Sequence, residues 1–449
     1  MNHVATGKRI DAGHKAARID YIPAEAYISP EYVQLEAERL WPRTWQMACR
    51  EEEIPEPGDF YTYNVASQSI TVLRDKSGEV RAYHNVCPHR GRRLTSGCGR
   101  MGKFHCKYHG WQWDLNGNSL EVVDRHDWGD LLQDEDITLT PVKVGMWGGW
   151  IWINMDPDSE TLEDFLEPAK SVLDPYEFEK MRYRWRKQIT LPCNWKVALE
   201  AFNEAYHVQM THRQLLAATD DMTYSKAYGK HGMFGSPPRI RGIPSPRIAD
   251  EETRAKASVR DGLSWFIRNM WETLNATVTE RLVRAADRVK AELPVDASSP
   301  DVMAAFAKFH REEAEKDGIP WPTITMEQLT EGGIDWHLFP NMVFLQQPTH
   351  ILGYRARPNG NDPDTCIFEV YVLERFAPGK EPKNVEIEYA DDWKTVDWGL
   401  ILSQDFQNMG EVQQGMKSMG FKGARPNPAQ ERAVSNFHEA LQHYLFEKN

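Results

Sequence analysis

The chain has 449 residues, enough for two or three domains or for one large domain with a smaller satellite. Its formal net charge of −13 argues against nonspecific binding to nucleic acid, and its 41% hydrophobic residues allow a sizeable core. No apolar run of about eighteen residues appears, and the polar N-terminal segment lacks the apolar centre of a secretory signal. We therefore expect a cytoplasmic protein with no membrane or nucleic-acid partner.

The first predicted element is a helix. Ser29 offers a capping hydroxyl and Pro30 suits the first helical position, so a helix is expected to begin here. It should end near Leu40, because the residue that precedes Pro42 is pushed out of helical geometry. Residues 1–43 are interpreted as an N-terminal arm and helix that pack with a later catalytic domain.

A pattern of short strands follows. The segments 60–65 and 70–73 are rich in β-branched and aromatic residues, and segment 148–154 reads as a further strand. Turn residues separate these segments, as expected for a compact antiparallel arrangement. We predict a small all-β domain over residues 44–158.

Residues 159–449 mix the two kinds of pattern. Strands are predicted at 183–191, 334–345, 351–357 and 365–374. Helices are predicted at 162–166, 265–274, 280–293, 391–420 and 429–446. A sheet covered by helices accounts for this mixture, so the chain as a whole is predicted to be α+β.

The stretch between His84 and Trp113 carries the strongest chemical signal. It contains two pairs, Cys87 with His89 and Cys106 with His109, and each pair supplies one thiolate and one imidazole. A site with two thiolates on one metal and two imidazoles on another is the ligand set of a Rieske [2Fe–2S] centre. A structural zinc site with four closed ligands is the alternative, but its pairs usually group two Cys and then two His.

The residues around these pairs sharpen the interpretation. The sequences CPHRG, from Cys87, and CKYHGW, from Cys106, resemble the two cluster-binding loops of Rieske oxygenases. Glycines in both loops let the backbone approach a cluster closely enough for N–H groups to bond to sulfide. The resemblance implies that Cys87, His89, Cys106 and His109 bind the cluster.

The other four cysteines are too few for a disulfide framework. Cys49, Cys98, Cys193 and Cys366 are expected to be reduced residues that pack in the interior.

A second metal signal lies between Asn194 and His212. Glu204 and His207 are three residues apart and would share one face of a helix. His207 and His212 are five apart, so a distortion or a helix end is needed for both to reach one ion. Two His and a distant carboxylate form the facial triad of non-haem iron(II) oxygenases, which leaves positions open for O2 and substrate.

This segment resembles the E-x3-(D/E)-x2-H-x4-H signature of Rieske oxygenases, matched by Glu200, Glu204, His207 and His212. The resemblance implies that both histidines bind mononuclear iron. It also implies that Glu204 links His109 of one subunit to His207 of the next. Enzymes of the naphthalene-dioxygenase type usually have Asp at the position of Glu204 and one more residue between the upstream Glu and the His. The motif in this chain, with Glu204 and the shorter interval, is therefore more similar to that of the carnitine and choline monooxygenases.

The third iron ligand is predicted to be Asp405. The sequence Ser-Gln-Asp-Phe-Gln-Asn that contains it resembles the late family segment that carries the ligand aspartate. The nearby Asp391, Asp392 and Asp397 are interpreted as a solvated helical face.

The resemblance covers nearly the whole chain and implies a small Rieske domain with a catalytic domain of the helix-grip type. It implies a terminal oxygenase that uses O2 and holds one [2Fe–2S] cluster and one non-haem Fe(II). No G-x-G-x-x-G follows a strand, so NAD(P)H would act only through a separate ferredoxin or flavin reductase. The family implies a head-to-tail homotrimer, in some members with a small β subunit.

The substrate is predicted to be a small molecule that is cyclic and hydrophobic: aromatic, terpenoid or steroid-like. Candidate pocket residues are Phe202, Met210, Met222, Trp265, Phe266, Met342 and Phe344. The Glu204 form of the motif favours an alternative, an N-methyl or quaternary ammonium compound in an aromatic cage. Two other classes are a Rieske electron-transfer protein without oxygenase activity and a zinc-stabilised binding protein.

Overall fold

The computed structural model describes residues 17–219, 223–236, 242–383 and 385–446. Most of the predicted N-terminal arm, residues 1–16, and the pocket candidate Met222 lie outside these ranges. Within them, no helix is both long enough and apolar enough to cross a membrane.

The N-terminal segment packs against the second half of the chain. It contains β1 (Ile22–Pro23), α1 (Glu25–Ile28) and α2 (Pro30–Leu35), and α2 continues as a π-helical turn over Glu36–Leu40. Ser29 caps α2 by accepting a hydrogen bond from the Tyr32 N–H, as the sequence predicts. The fully buried carboxylate of Glu36 pairs with Lys196 at 2.5 Å, which ties this segment to the catalytic helices.

The β domain is built from ten short strands. They are β2 (Gln46–Arg50), β3 (Asp59–Val65), β4 (Gln68–Arg74), β5 (Val80–His84), β6 (Cys98–Arg100), β7 (Phe104–His105), β8 (Gln112–Trp113), β9 (Ser119–Glu121), β10 (Pro141–Trp147) and β11 (Trp150–Asn154), with a short α3 (Asp134–Ile137) before β10. Seven form an antiparallel sheet in the order β2-β11-β10-β5-β4-β3-β6, and β7, β8 and β9 form a second. The two cluster-type loops follow β5 and β7, and a small core of their own surrounds them.

The larger part of the chain surrounds an eight-stranded sheet. Its strands are β12 (Arg182–Leu191), β13 (Tyr224–Tyr228), β14 (His231–Gly235), β15 (Asp335–Leu338), β16 (Met342–Gln346), β17 (His350–Asn359), β18 (Asp362–Glu374) and β19 (Ile387–Ala390). The order is β13-β14-β15-β16-β17-β18-β12-β19, antiparallel except for the parallel edge pair of β12 and β19. The α+β class is confirmed.

Helices cover this sheet. They are α4 (Leu162–Leu166), α5 (Ala169–Leu173), α6 (Trp195–Glu200), α7 (Val208–Thr211), α8 (Glu251–Ala255), α9 (Val259–Thr273), α10 (Glu280–Glu292), α11 (Ser299–Lys316), α12 (Met326–Glu331), α13 (Gly399–Met416) and α14 (Arg432–Phe446). A last strand, β20 (Gly423–Ala424), pairs with β1.

Two predicted elements have the wrong extent. The strand expected over 334–345 is two strands, β15 and β16, because the chain reverses at Phe339 and Pro340, where proline cannot donate to a ladder. The helix expected over 391–420 begins only at Gly399. The chain before it joins the sheet as β19 and then forms a short helical turn at Trp393–Thr395, which Asp392 caps.

The two faces of the large sheet have different neighbours. On one face Phe344 stacks on Trp150, and the Arg355 guanidinium donates to the Met47 and Ala48 carbonyls of the β domain. On the other, here called the helix-side face, Tyr354 stacks on Phe202, which follows α6, with ring centroids 4.2 Å apart. The helix-side face is therefore the one beneath the segments that carry Glu204, His207, His212 and Asp405.

Candidate functional site

The two loops of the β domain have the same backbone geometry. In the first, the Cys87 N–H donates to the Arg92 carbonyl at 2.8 Å and the Gly91 N–H donates to the Cys87 carbonyl at 2.9 Å. The second repeats both bonds around Cys106 and Gly110. Both glycines have positive φ, +74° and +79°, a conformation that side chains rarely adopt. Each loop is thus a tight turn that presents a Cys and a His from one end.

The four predicted cluster residues meet at the tips of these loops. The Cys87 and Cys106 side chains are buried, and the rings of His89 and His109 lie 4.4 Å apart between centroids. Burial, and secondarily the adjacent Cys106 thiol, raise the pKa of Cys87. The Nδ1 atoms of both histidines are buried and have no hydrogen-bond partner among the described residues. Two thiols and two unpartnered imidazole nitrogens fit a Rieske cluster.

The histidine side of this site opens to the surface. His89 and His109 line an open depression of about 530 Å³, together with Trp111, Trp128 and Leu131. Trp111 stacks on the His89 ring at 4.8 Å, which fixes the plane of that imidazole. The loop tips are therefore held rigidly while their histidine edge faces outward.

The predicted iron ligands also come together. His207 precedes α7, His212 follows it, and Asp405 lies on α13. One ligand atom from each of the three lies within 4.8 Å of the other two. Asp405 Oδ1 is 2.9 Å from His212 Nε2 and 3.8 Å from His207 Nε2. Two imidazoles and one carboxylate converge as a facial triad requires.

The helix expected to carry Glu204 and His207 is interrupted. α6 ends at Glu200, turns follow, and helical structure resumes only at Val208. The prediction of a shared regular helix is therefore wrong, whereas the expected helix end appears at His212, where φ is −117° and ψ is 42°. The helix end at His212 is what lets His207 and His212, five residues apart, face one point.

Hydrogen bonds orient both imidazoles. His207 Nδ1 lies 2.7 Å from Glu204 Oε1, and His212 Nδ1 lies 2.9 Å from Gln404 Oε1. If each Nδ1–H donates to its oxygen, each Nε2 is left to accept a bond on the side of Asp405. Sequence reasoning missed Gln404; its only signal was its position directly before Asp405.

Glu204 also changes the acidity of the site. Burial opposes protonation of His207, but the hydrogen bond and charge of Glu204 outweigh it and raise the pKa of His207. Nearby, burial and the charges of Glu204 and Glu200 raise the pKa of Glu431 to about 7. Glu200 accepts hydrogen bonds from Tyr27 at 2.9 Å and from His438 at 2.6 Å. The signature residue Glu200 thus lies in a buried polar network behind Glu204.

The described pocket candidates do not share one surface, because Phe344 packs toward the β domain and Phe202 packs on the helix-side face. Phe202, Met342 and Phe344 are buried in the main core, whereas Met210 and Trp265 are 75% and 44% exposed. The hydrophobic types were abundant everywhere, so composition could not single out pocket residues. Cys98 is exposed on β6 rather than packed inside, whereas Cys49, Cys193 and Cys366 are buried as expected.

A paired Cys-His loop domain, joined to a helix-covered sheet with a cluster of two histidines and a carboxylate, defines the class of Rieske-type non-haem iron oxygenases. Residues 44–127 match the Rieske [2Fe–2S] domain, and residues 178–447 match the family of ring hydroxylating alpha subunits, in its catalytic domain. The chain belongs to this family of Rieske oxygenase alpha subunits. Members carry a Rieske cluster and a mononuclear iron and act with O2.

Relatives of known function fall into two groups. The alpha subunit of biphenyl 2,3-dioxygenase from Rhodococcus jostii (strain RHA1) is 30% identical over 412 residues, which cover 83% of this chain and 89% of the relative. The oxygenase subunit of glycine betaine monooxygenase from Pseudomonas aeruginosa (strain UCBPP-PA14) is 30% identical over 210 residues, 46% of this chain. That match spans 48% of the relative, about half its length.

Solved structures share the fold. Naphthalene 1,2-dioxygenase with indole bound in its active site superposes with a TM-score of 0.67 at 20% identity, covering 97% of this chain and 94% of that one. A quaternary ammonium Rieske monooxygenase in complex with L-carnitine gives a TM-score of 0.62 at 18% identity, covering 95% and 96%. The expected small Rieske domain and helix-covered catalytic sheet are confirmed as the fold.

Proposed function

We propose that this chain is a terminal oxygenase component that hydroxylates or cis-dihydroxylates a cyclic hydrophobic substrate, aromatic, terpenoid or steroid-like. The observation that carries the proposal is the convergence of His207, His212 and Asp405 within 4.8 Å, in a chain that also has paired Cys-His loops. Two redox centres in one chain suit an oxygenase, whereas an electron-transfer protein needs the cluster alone.

The chain's own residues have separate tasks in this proposal. Cys87, His89, Cys106 and His109 hold the cluster, and His207, His212 and Asp405 hold the iron. When bound, these groups supply one-electron transfer and O2 activation. Glu204 and Gln404 keep the Nδ1 protons of the two iron histidines in place, so that each Nε2 stays available to the metal.

Electrons come from another protein. The family takes electrons from a partner, and this sequence has no convincing dinucleotide-binding motif. We propose a separate ferredoxin or flavin reductase as that partner, so that NAD(P)H acts only indirectly.

The catalytic unit in this proposal is a head-to-tail homotrimer. Around the cluster loops Tyr108 and Leu131 are 55% and 87% exposed, and beside the iron residues Tyr206 and Met210 are exposed as well. Exposed apolar groups at both ends suit a contact in which His109 of one subunit meets Glu204 of the next. The subunit composition of the purified protein tests whether a small β subunit accompanies the trimer.

The substrate class rests on the relatives. The cyclic hydrophobic class is supported by biphenyl 2,3-dioxygenase, because that similarity extends over most of both chains. An N-methyl or quaternary ammonium compound is the second candidate, supported by the Glu204 form of the motif and by the similarity to glycine betaine monooxygenase.

Metal analysis is the first test of the proposal. Purified protein should hold about three iron and two acid-labile sulfide per chain and give a Rieske paramagnetic signal on reduction. Two iron and two sulfide that stay unchanged after added Fe(II) would support the electron-transfer class instead. Zinc without sulfide would refute every part of the proposal.

Glu204→Gln tests the bridge. The amide keeps the shape of the side chain but removes its charge, so turnover with a supplied reductase should collapse while the visible spectrum of the cluster stays intact. Glu411→Gln, on the exposed face of α13, is the matched control and should leave turnover unchanged. Full turnover in Glu204→Gln would refute the bridging role.

A further inference from the structure

A buried carboxyl without a partner lies on the helix-side face of the catalytic sheet. Asp335, the first residue of β15, is 0% exposed, and neither of its carboxyl oxygens has a hydrogen-bond partner among the described residues. Buried polar groups in native proteins are nearly always hydrogen-bonded, so a carboxyl left without partners requires an explanation. A group that is completed by a ligand is one such explanation.

The strand register puts Asp335 on the face that carries the iron site. Asp335 and His337 share a face of β15, and His337 is paired through Val343 to Tyr354. His337 stacks on Phe437 of α14 and Tyr354 stacks on Phe202, so this is the helix-side face. Tyr354 lies two strands and one pleat repeat from Asp335, roughly 12 Å between Cα atoms.

Electrostatics connect Asp335 to the proposed iron ligand. After burial itself, the charges of Asp405 and then Asp335 raise the pKa of Tyr354. The Tyr354 phenol is therefore within range of both carboxyls, one at the iron and one on β15. Asp335 and Asp405 therefore lie on the same side of the sheet, each near Tyr354.

The neighbours of Asp335 on this face are mostly apolar. Across the neighbouring strands its row on this face consists of Ser225, Phe234, Leu345 and Leu352. Phe234 and Leu352 are buried, but Leu345, directly opposite Asp335 on an interior strand, is partly exposed. The two side chains directly beside the carboxyl on this face, Phe234 and Leu345, are thus apolar.

We infer that Asp335 is a specificity-determining residue that binds a cationic nitrogen, so that the substrate is an apolar molecule carrying a protonated amine or a quaternary ammonium group. The inference rests on the proposed oxygenase function and deepens it, because it narrows the substrate class. Burial raises the pKa of Asp335 well above its usual range, so the carboxyl is neutral until a bound cation favours its ionised form. An anion at the same place would gain no such pairing.

The test compares three ring compounds that differ in charge: benzylammonium, toluene and benzoate. Dissociation constants would be measured by calorimetry on the iron-loaded protein, in the wild type, in Asp335→Asn and in Asp335→Leu. Asp317→Asn, at an exposed position after α11, is the matched control. We expect the wild type and the control to bind benzylammonium at least about tenfold more tightly than toluene, with benzoate weakest.

Asp335→Asn should lose about thirtyfold or more in benzylammonium affinity, with toluene changed less than about threefold. Asp335→Leu should lose the same preference yet unfold at higher denaturant, because it replaces an unpartnered carboxyl with an apolar side chain of similar size. An unchanged preference in Asp335→Asn, or no preference for benzylammonium in the wild type, would overturn the inference. Iron and sulfide content of the same samples tests the oxygenase proposal separately.

Discussion

The two metal-type sites of this chain are assembled in opposite ways. All four proposed cluster ligands lie between residues 87 and 109, on two loops with the same hydrogen-bonded turn. The iron-type site joins distant segments, and the Gln404 that orients His212 is 192 residues away from it in the chain. The cluster site depends on local backbone geometry. The iron site depends on the packing of the segment around α7 against α13 on the helix-side face of the sheet.

The imidazoles of the two sites differ accordingly. In the loops, the Nδ1 atoms of His89 and His109 are buried and lack a partner among the described residues. At the iron-type site, Nδ1 of His207 and of His212 bonds to another side chain, and Nε2 faces Asp405. In the loops a tight turn and the stacked Trp111 ring hold the His89 imidazole, whereas at the iron site a hydrogen bond from Nδ1 holds each ring.

The largest effect should come from breaking a loop. Cys87→Ser removes one thiolate, so the cluster should be lost, iron should fall from about three to about one per chain, and turnover should be undetectable. Visible absorption and iron analysis measure this. Cys98→Ser, an exposed cysteine between the loops, should keep the full spectrum. A coloured, active Cys87→Ser protein would remove Cys87 from the ligand set.

A substitution at the iron site should remove the mononuclear iron and leave the cluster in place. Asp405→Asn should lower iron to about two per chain and abolish turnover, while the Rieske signal remains, because the loops do not depend on α13. Asp391→Asn, at an exposed position ahead of the helix, is the control and should behave as wild type. Loss of the cluster signal in Asp405→Asn would contradict the separation.

A smaller effect should come from the residue behind His212. Gln404→Leu leaves the His212 Nδ1–H without its acceptor, so affinity for Fe(II) should fall by about 10–100-fold with the cluster unchanged. Titration of Fe(II) into protein freed of its mononuclear iron measures this. Gln407→Leu, exposed on the same helix, should bind Fe(II) normally; equal affinities in both variants would deny Gln404 its role.

The last prediction concerns the stability of the fold and should leave the two metal sites intact at neutral pH. Burial lowers the pKa of His231 to about 3, and its neutral ring donates to the Phe165 carbonyl and accepts from the Phe339 N–H. The unfolded chain would protonate this histidine below about pH 6.5, so its contribution is full above that pH. Below it, about 1.4 kcal/mol of stability should be lost per pH unit as pH falls toward 3.

Urea unfolding at a series of pH values checks this, with His231→Gln as the comparison. The variant should be less stable near neutrality, but its stability should fall less steeply on acidification, by about one proton. Equal slopes would mean that His231 titrates alike in the folded and unfolded chains.

The sequence by itself determined the sites that depend on local chemistry. The Cys-His pairs and their glycines predicted the loops, and the Glu204, His207 and His212 spacing predicted a helix end that the structure contains. Most helices and strands were also predicted correctly, because the spacing of hydrophobic residues and the residues typical of turns are local features of the sequence. The Ser29 cap is an example in which the predicted boundary and the observed bond agree.

Tertiary structure alone decided the rest. Gln404 could not be recognised, because nothing in its local sequence records that it meets His212. Composition could not choose among the pocket candidates, because hydrophobic residues look alike whether they fill a core or line a cavity. Asp335 has no motif around it in the sequence. What sets it apart is that its carboxyl is buried on the helix-side face with no hydrogen-bond partner among the described residues. Such properties arise from strand register and packing, which bring together residues that the chain keeps far apart.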